Sequence, residues 1–201
     1  MTIKLFDTTL KINIIFVAII AVVVILDKTN VALLGILASV LHELTHIITM
    51  FFCNSRPFKI ILTPFGAKII ADNSLSRSYL KDIIISLSAP LLNLLIFIVF
   101  SLINNFFAND YLMQFALVNL FVGLFNLLPI ISLDGGNALY SLLCMKLTEN
   151  KSFLIVNIIS FLILIPIATL GFFLLLKSRY NFTLLLTSLY LMFIIIFKRK
   201  D

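Results

Sequence analysis

The residues of this 201-residue chain whose types and spacing could do chemistry lie close together near position 45. His42, Glu43 and His46 form an HExxH sequence that contains both histidines of the chain. Side chains four residues apart share one face of a helix, so both imidazoles can bind the same metal ion. Glu43 lies about 100° further round that helix, within reach of a water molecule on the metal. The spacing predicts a zinc site with His42 and His46 as ligands and Glu43 as general base.

A catalytic zinc site needs a third protein ligand, and leaves its fourth position for water. Apart from Glu43, the acidic residue enclosed by apolar sequence is Asp134, in the segment NLLPIISLDGG. Pro129 and the two glycines predict a broken helix there, and irregular backbone at membrane depth is tolerated where it lines a cavity. Asp134 is therefore the predicted third ligand. The alternative is that Asp134 only caps the short helix that follows it.

Histidines on apolar helices also have a simpler interpretation, as hydrogen-bonded core residues. An ionisable side chain at the middle of a bilayer costs at least about 2.5–3.5 kcal/mol, so three such residues together need compensation. A metal ion and a water-filled cavity provide that compensation. The HExxH spacing therefore favours Zn²⁺ as cofactor over a purely structural role.

The composition requires a lipid environment. Of all residues 62% are hydrophobic and 12% are charged, and the mean hydropathy is +1.18. A soluble domain has about 25% charged residues because its surface faces water. The apolar runs are long and continuous, which favours helices over the alternating strands of a barrel. The sequence predicts an all-α integral membrane protein with one membrane-embedded domain, residues 1–201.

Six apolar stretches predict six transmembrane helices, two of them shorter than the usual length of about 20 residues. The catalytic core is expected at about residues 10–145, and two C-terminal spans at 153–197. The stretches are Ile12–Leu26, Val31–Cys53, Ile83–Ile103, Tyr111–Ile131, Phe153–Leu176 and Phe182–Phe197.

Basic residues predict the orientation. With six spans, twelve of the fifteen basic residues fall on the side of both termini, so both termini are expected in the cytoplasm. The positive charge therefore has a membrane explanation, and no nucleic-acid partner is expected. The twelve are Lys4, Lys11, Arg56, Lys59, Lys68, Arg77, Lys81, Lys146, Lys151, Lys198, Arg199 and Lys200.

One cytoplasmic connection has the pattern of a β-hairpin. The β-branched runs Lys59–Thr63 and Ala67–Ala71 flank a Pro64-Phe65-Gly66 turn signal. They are taken as the only strand-like runs of the chain. The alternative is a loop that packs on the membrane surface.

The HELTH helix and the downstream NLLPIISLDGG resemble the site-2 protease family of intramembrane zinc metalloproteases. The LTPFGA segment and SLSAPLLN, which ends at Asn93, resemble its stage IV sporulation FB protease branch. The resemblance implies the zinc ligands His42, His46 and Asp134, with Glu43 as base. It also implies that Asn126 positions or polarises the scissile carbonyl. Thr45 replaces the family's usual glycine, a mild change expected on an exposed helix face, and no nucleotide-sensing CBS domain is expected after the last span.

The resulting hypothesis is a hydrolase of the bacterial cell membrane. It would cleave a membrane-spanning or membrane-tethered protein near the cytoplasmic face, in the manner of a pro-sigma factor released by regulated intramembrane proteolysis. A membrane inhibitor or regulator is a further expected partner. The alternatives are a metal transporter or channel, in which His and Asp form a permeation path, and an inactive relative that only binds substrates.

Overall fold

The computed structural model describes residues 2–5, 8–12, 24–25, 27, 29–55, 57–63, 66–71, 78–178 and 183–197. The chain folds into two compact units, residues 1–124 and 125–201. The helices of the described residues are α1 Val31–Phe52, α2 Tyr79–Phe107, α3 Asp110–Leu127, α4 Asp134–Cys144, α5 Glu149–Ser178 and α6 Thr183–Phe197.

Four helices in the described part of the chain, α1, α2, α3 and α5, are long and apolar enough to cross a membrane. The apolar part of α6, Leu184–Ile195, is shorter. The predicted first span, Ile12–Leu26, lies mostly outside the described residues. A helical membrane protein is therefore supported, and the count of six spans stays a prediction.

Helix α1 is apolar on its outer faces and carries its polar residues inside. Its buried residues recur every fourth position, at Ala38, His42, His46 and Met50. Large apolar side chains on the other faces, such as Leu44 at 46% and Ile48 at 52% exposure, are open to the surroundings. This pattern is the reverse of that of a soluble helix, and it fits a helix with lipid outside and a polar site within.

The start of α1 is held by an acidic side chain. The carboxylate of Asp27 accepts hydrogen bonds from the Thr29 hydroxyl at 2.7 Å, the Thr29 amide at 2.9 Å and the Ala32 amide at 2.6 Å. These bonds, the one from the Thr29 hydroxyl foremost, lower the pKa of Asp27. The charge satisfies one of the free N–H groups in the first turn of α1.

A four-stranded sheet of order β1-β2-β3-β4 brings the N-terminal segment beside the connection between α1 and α2. Strands β3 and β4 pair antiparallel in the segment for which the sequence predicts a hairpin, and β2 pairs with β3 in parallel. The expectation of no other strand-like run was wrong, because β1 and β2 form ahead of the first predicted span, with Ile12 shared between β2 and that span. The strands are β1 Thr2–Leu5, β2 Thr8–Ile12, β3 Pro57–Thr63 and β4 Gly66–Ala71.

The fourth predicted span, Tyr111–Ile131, extends past the end of its helix. Helix α3 ends at Leu127, two residues before Pro129. Proline disfavours a helical conformation in the residue before it and has no amide to donate. The chain remains non-helical until α4 starts at Asp134. The predicted break is therefore real, but it precedes the LDGG sequence, and Gly135 and Gly136 lie inside α4.

In the second compact unit the non-helical segment between Leu127 and Asp134 packs on α5. Ile131 is buried, and its amide donates to the Ser160 hydroxyl at 3.0 Å. That hydroxyl donates in turn to the Val156 carbonyl at 2.7 Å. The segment just before Asp134 thus has a fixed backbone despite the missing helix, because its polar groups find partners on α5.

Candidate metal centre

The two histidines of α1 lie side by side and buried. His42 is 5% exposed and His46 is 7% exposed. Their ring centroids are 4.9 Å apart and the rings are nearly perpendicular, at 87°. The HExxH spacing has therefore placed both imidazoles in the one buried stripe of α1, as predicted for two ligands of one metal ion.

Each histidine is oriented through its Nδ1 atom by helix α2. His42 Nδ1 lies 2.6 Å from Asn93 Oδ1, and His46 Nδ1 lies 2.9 Å from the Ile85 carbonyl oxygen. A carbonyl oxygen can only accept, so each Nδ1 carries the proton and donates it. The lone pair of each neutral ring then lies on Nε2. This is the usual state of a zinc-binding histidine, whose other ring nitrogen donates to a carbonyl or carboxylate.

Asp134 is the first residue of α4 and is half-buried. The N-cap position is Leu133, with extended backbone. The alternative role, a cap of the short helix, would require the aspartate one residue earlier. A Cβ at Gly135 or Gly136 would lie closer than 3.0 Å to backbone atoms of Leu127 or Ile130. The two glycines thus let the first turn of α4 pack directly against the preceding segment.

His42, His46 and Asp134 each offer one ligand atom, and these atoms all lie within 4.8 Å of one another. Two imidazole nitrogens and one carboxylate oxygen are the donor set of a catalytic zinc site with three protein ligands. The set fits zinc chemically, because the proton of each histidine is already on the nitrogen that faces away from the lone pair. Zn²⁺ as the cofactor is supported by this donor group.

The other residues singled out from the sequence lie on α1 and α3. Glu43 is half-buried on α1, next to His42. Asn126 is half-buried in the last turn of α3, eight residues before Asp134. Thr45 is half-buried rather than exposed as predicted, and its hydroxyl donates to the Leu41 carbonyl at 2.7 Å. That bond stays within α1.

Two polar residues at this site received no role from the sequence. Asn93 on α2 and Asn119 on α3 are both 0% exposed. Polar side chains in the middle of apolar spans are costly and mark functional sites by default, which was the available signal. Asn93 was visible only as the last letter of the SLSAPLLN motif, and its partner could not be read from the sequence.

The sequence pattern of Peptidase family M50 matches residues 103–167, which include Asn126 and Asp134. A zinc metalloprotease of Methanocaldococcus jannaschii is 30% identical over 161 residues, covering 74% of this chain and 47% of the relative. The chain thus spans about half the length of that curated relative. The solved structure of a site-2 protease from Methanocaldococcus jannaschii matches with a TM-score of 0.68 and 25% identity, covering 100% of this chain and 95% of that one.

These three similarities, to a peptidase family, to a zinc metalloprotease and to a site-2 protease structure, agree with the His42, His46 and Asp134 group. They support assignment of the chain to Peptidase family M50, the site-2 protease family.

Proposed function

We propose that this chain is an intramembrane zinc endopeptidase that cleaves a membrane-spanning or membrane-tethered protein near the cytoplasmic face. The observation that carries the proposal is the group of His42, His46 and Asp134, with Glu43 next to His42 on a helix whose outer faces are apolar. A metal transporter would have no need for a glutamate at the second position of HExxH. A hydrolase needs it as a base.

In the proposed reaction, a bound zinc ion would supply Lewis-acid chemistry, which makes water easier to deprotonate and the substrate carbonyl easier to attack. His42, His46 and Asp134 would hold the metal, as the three protein ligands of a catalytic site. Glu43 accepts the proton of the attacking water and passes it to the leaving amine. The apolar outer faces of α1 keep bulk water away, which strengthens the electrostatic interactions among these groups.

Asn126 is proposed to donate a hydrogen bond to the scissile carbonyl as negative charge develops on its oxygen. Loss of one such donor typically costs about 10²–10³ in rate. We expect Asn126→Ala to keep its zinc and to cleave a single-pass membrane protein, reconstituted with it in vesicles, more slowly by that factor. Wild type with zinc but without cleavage of any single-pass or tethered protein would contradict the proposed function. Equal rates for Asn126→Ala and wild type would contradict only the role of Asn126.

The proposed topology has six spans with both termini in the cytoplasm. The pairing of β2 with β3 supports it, because paired strands must lie on the same side of the membrane. One candidate span, α1, lies between these strands. A second crossing at the predicted first span, Ile12–Leu26, returns the chain to that side. The basic residues assign this side to the cytoplasm of a bacterial cell.

Strand β4 is proposed to bind the substrate as an added strand. A helical substrate shields its peptide bonds, and an open sheet edge can hold the unwound segment by main-chain hydrogen bonds. Strand β3 is paired on both sides, whereas β4 ends the sheet. A proline in β3, at Ile61, would therefore damage the sheet itself. The informative positions are in β4.

Proline in β4 should slow cleavage without loss of zinc. Ladder bonds alternate along an antiparallel pair, so the amides of Lys68 and Ile69 point to opposite edges of β4. One of Lys68→Pro and Ile69→Pro removes an outward donor, and one lost hydrogen bond corresponds to about 3- to 10-fold in rate. Alanine at the same positions keeps both amides and should act as wild type. Wild-type rates for both prolines would show that β4 does not hold the substrate.

The substrate class is proposed from the resemblance to the sporulation branch of the family. On that basis, the substrate is a membrane-tethered pro-sigma factor and the regulator is a membrane protein that blocks the site. Co-expression of the chain with such a factor tests this point separately from the chemistry. Processing of other single-pass proteins without the factor would remove the sporulation assignment and leave the protease intact.

A further inference from the structure

A continuous chain of side-chain hydrogen bonds leads away from His42 through two helices. His42 Nδ1 lies 2.6 Å from Asn93 Oδ1 on α2. Asn93 Nδ2 donates to Asn119 Oδ1 on α3 at 2.8 Å, and Asn119 Nδ2 donates to the Phe115 carbonyl at 2.9 Å. We call Asn93 and Asn119 the asparagine relay. Both residues are completely buried.

The last acceptor of this hydrogen-bond series, the Phe115 carbonyl, sets the direction of every bond in it. The Phe115 carbonyl can only accept, so Asn119 must turn its NH₂ group towards it and its oxygen towards Asn93. Asn93 then presents its own NH₂ group to Asn119 and its oxygen to His42. An oxygen facing His42 requires the proton on Nδ1. The backbone of α3 therefore dictates the tautomer of a histidine on α1.

We propose that Asn93 and Asn119 are positioning residues of the zinc site, which hold His42 in the tautomer with its lone pair on Nε2. The inference rests on the proposed function, since a fixed lone pair has a purpose only where His42 binds a metal. His46 reaches the same tautomer by another route, because its Nδ1 donates directly to the Ile85 carbonyl. Only the His42 tautomer thus depends on side chains that substitution can change.

The packing of α3 on α2 serves this relay. Gly123 lies one turn after Asn119 on α3, and a Cβ there would lie 3.1 Å from the Pro90 carbonyl oxygen and 3.2 Å from Asn93 Cβ. The missing side chain lets α3 approach α2 closely beside Asn93. This approach is what brings the short side chain of Asn119 within hydrogen-bond distance of Asn93.

Buried asparagines also join membrane helices without any role in chemistry. If the asparagines only pack the helices together, their substitution should not change which ring nitrogen of His42 carries the proton. If they position His42, their substitution should change it. The decisive readout is therefore the protonated nitrogen of each histidine, measured by ¹⁵N NMR on the metal-free full-length chain labelled at histidine. With only two histidines in the sequence, His46 serves as an internal reference.

Asn93→Leu keeps the approximate volume and removes the relay. We expect the His42 signal to lose its Nδ1-protonated state while the His46 signal stays unchanged. Zinc affinity, measured by competition with a chelator, should fall about 10- to 100-fold. Asn119→Leu should act in the same direction and more weakly. Asn93→Asp retains an oxygen for His42 and should restore the Nδ1-protonated state.

Asn157→Leu is the matched control, because Asn157 lies on α5 in the other compact unit and its buried Oδ1 has no hydrogen-bond partner. It should leave both histidine signals and zinc affinity at wild-type values. An unchanged His42 signal in both folded leucine variants of the relay would overturn the proposal. Normal tautomers in a wild type that binds no zinc would instead reject the proposed function and keep the relay.

Discussion

Glu43→Gln is expected to abolish peptide cleavage while the protein still binds zinc. Glutamine has nearly the same shape as glutamate, but its amide cannot accept the proton of the attacking water. General base catalysis contributes about 10²–10⁴ in rate, so the cleavage rate should fall by at least two orders of magnitude. Glu43 is next to His42 in the sequence but is not one of the three proposed ligands, so the metal should stay bound. Cleavage in vesicles and zinc content are measured on the same preparation.

Glu149→Gln is the matched control for this prediction. Glu149 is the other glutamate of the chain, and it lies exposed at the start of α5. The substitution makes the same change of charge and shape away from the metal ligands, so its cleavage rate should equal that of wild type. Substantial cleavage by Glu43→Gln would mean that another group takes the proton, and the mechanism proposed for this site would be wrong.

Asp134→Ala should lower zinc affinity more than the loss of a residue that only orients a ligand, such as Asn93. Groups that orient a ligand typically contribute 10- to 100-fold in metal affinity, and a ligand itself should contribute more than about 100-fold. Asp134→Asn keeps an oxygen at the same place but loses the charge, so its affinity should lie between those of Asp134→Ala and wild type. Chelator competition on detergent-purified protein measures all three.

Asp110→Ala is the matched control, because Asp110 is also the first residue of a helix, α3, and is exposed. It tests whether loss of an acidic group from a first helical turn alone disturbs metal binding. Its zinc affinity should be that of wild type. If Asp134→Ala bound zinc as tightly as Asp110→Ala, the third ligand would have to be a different residue.

The part of the site that follows from local spacing could be predicted from the sequence. His42, Glu43 and His46 are related by the geometry of a single helix, which the sequence specifies completely. Asp134 required one further step, the observation that an acidic residue is surrounded by apolar sequence and follows a helix break. The helix break had been assigned to Pro129 and the two glycines together. Only the assignment to Pro129 agrees with the structure, because α3 ends just before Pro129 and both glycines lie inside α4.

The supporting residues could not be predicted, because they depend on which helices become neighbours. Asn93 and Asn119 are 26 residues apart and on different helices, and nothing local to either residue indicates their hydrogen bond. Their position within apolar stretches was the available signal of a function, but no role was assigned from it. The partner and the direction of the bonds appeared only with the packing of α2 against α3.

The N-terminal strands were missed for a related reason. Strands β1 and β2 are only four and five residues long and have weak local signals. Strand β2 gains its stability from pairing with β3, about 50 positions away in the sequence. The sequence pattern at Lys59–Ala71 was easier to notice, because a turn signal at Pro64–Gly66 separates two similar runs.

Zinc content of the purified wild-type chain tests the central claim most directly. The protein is extracted in mild detergent without chelator, its folding is checked by circular dichroism, and metals are quantified by mass spectrometry. We expect about one zinc per chain, as for a catalytic site with three protein ligands. We also expect His42→Ala and His46→Ala to lose that zinc. A folded wild type without zinc, or with zinc that both histidine variants retain, would contradict the proposed zinc site.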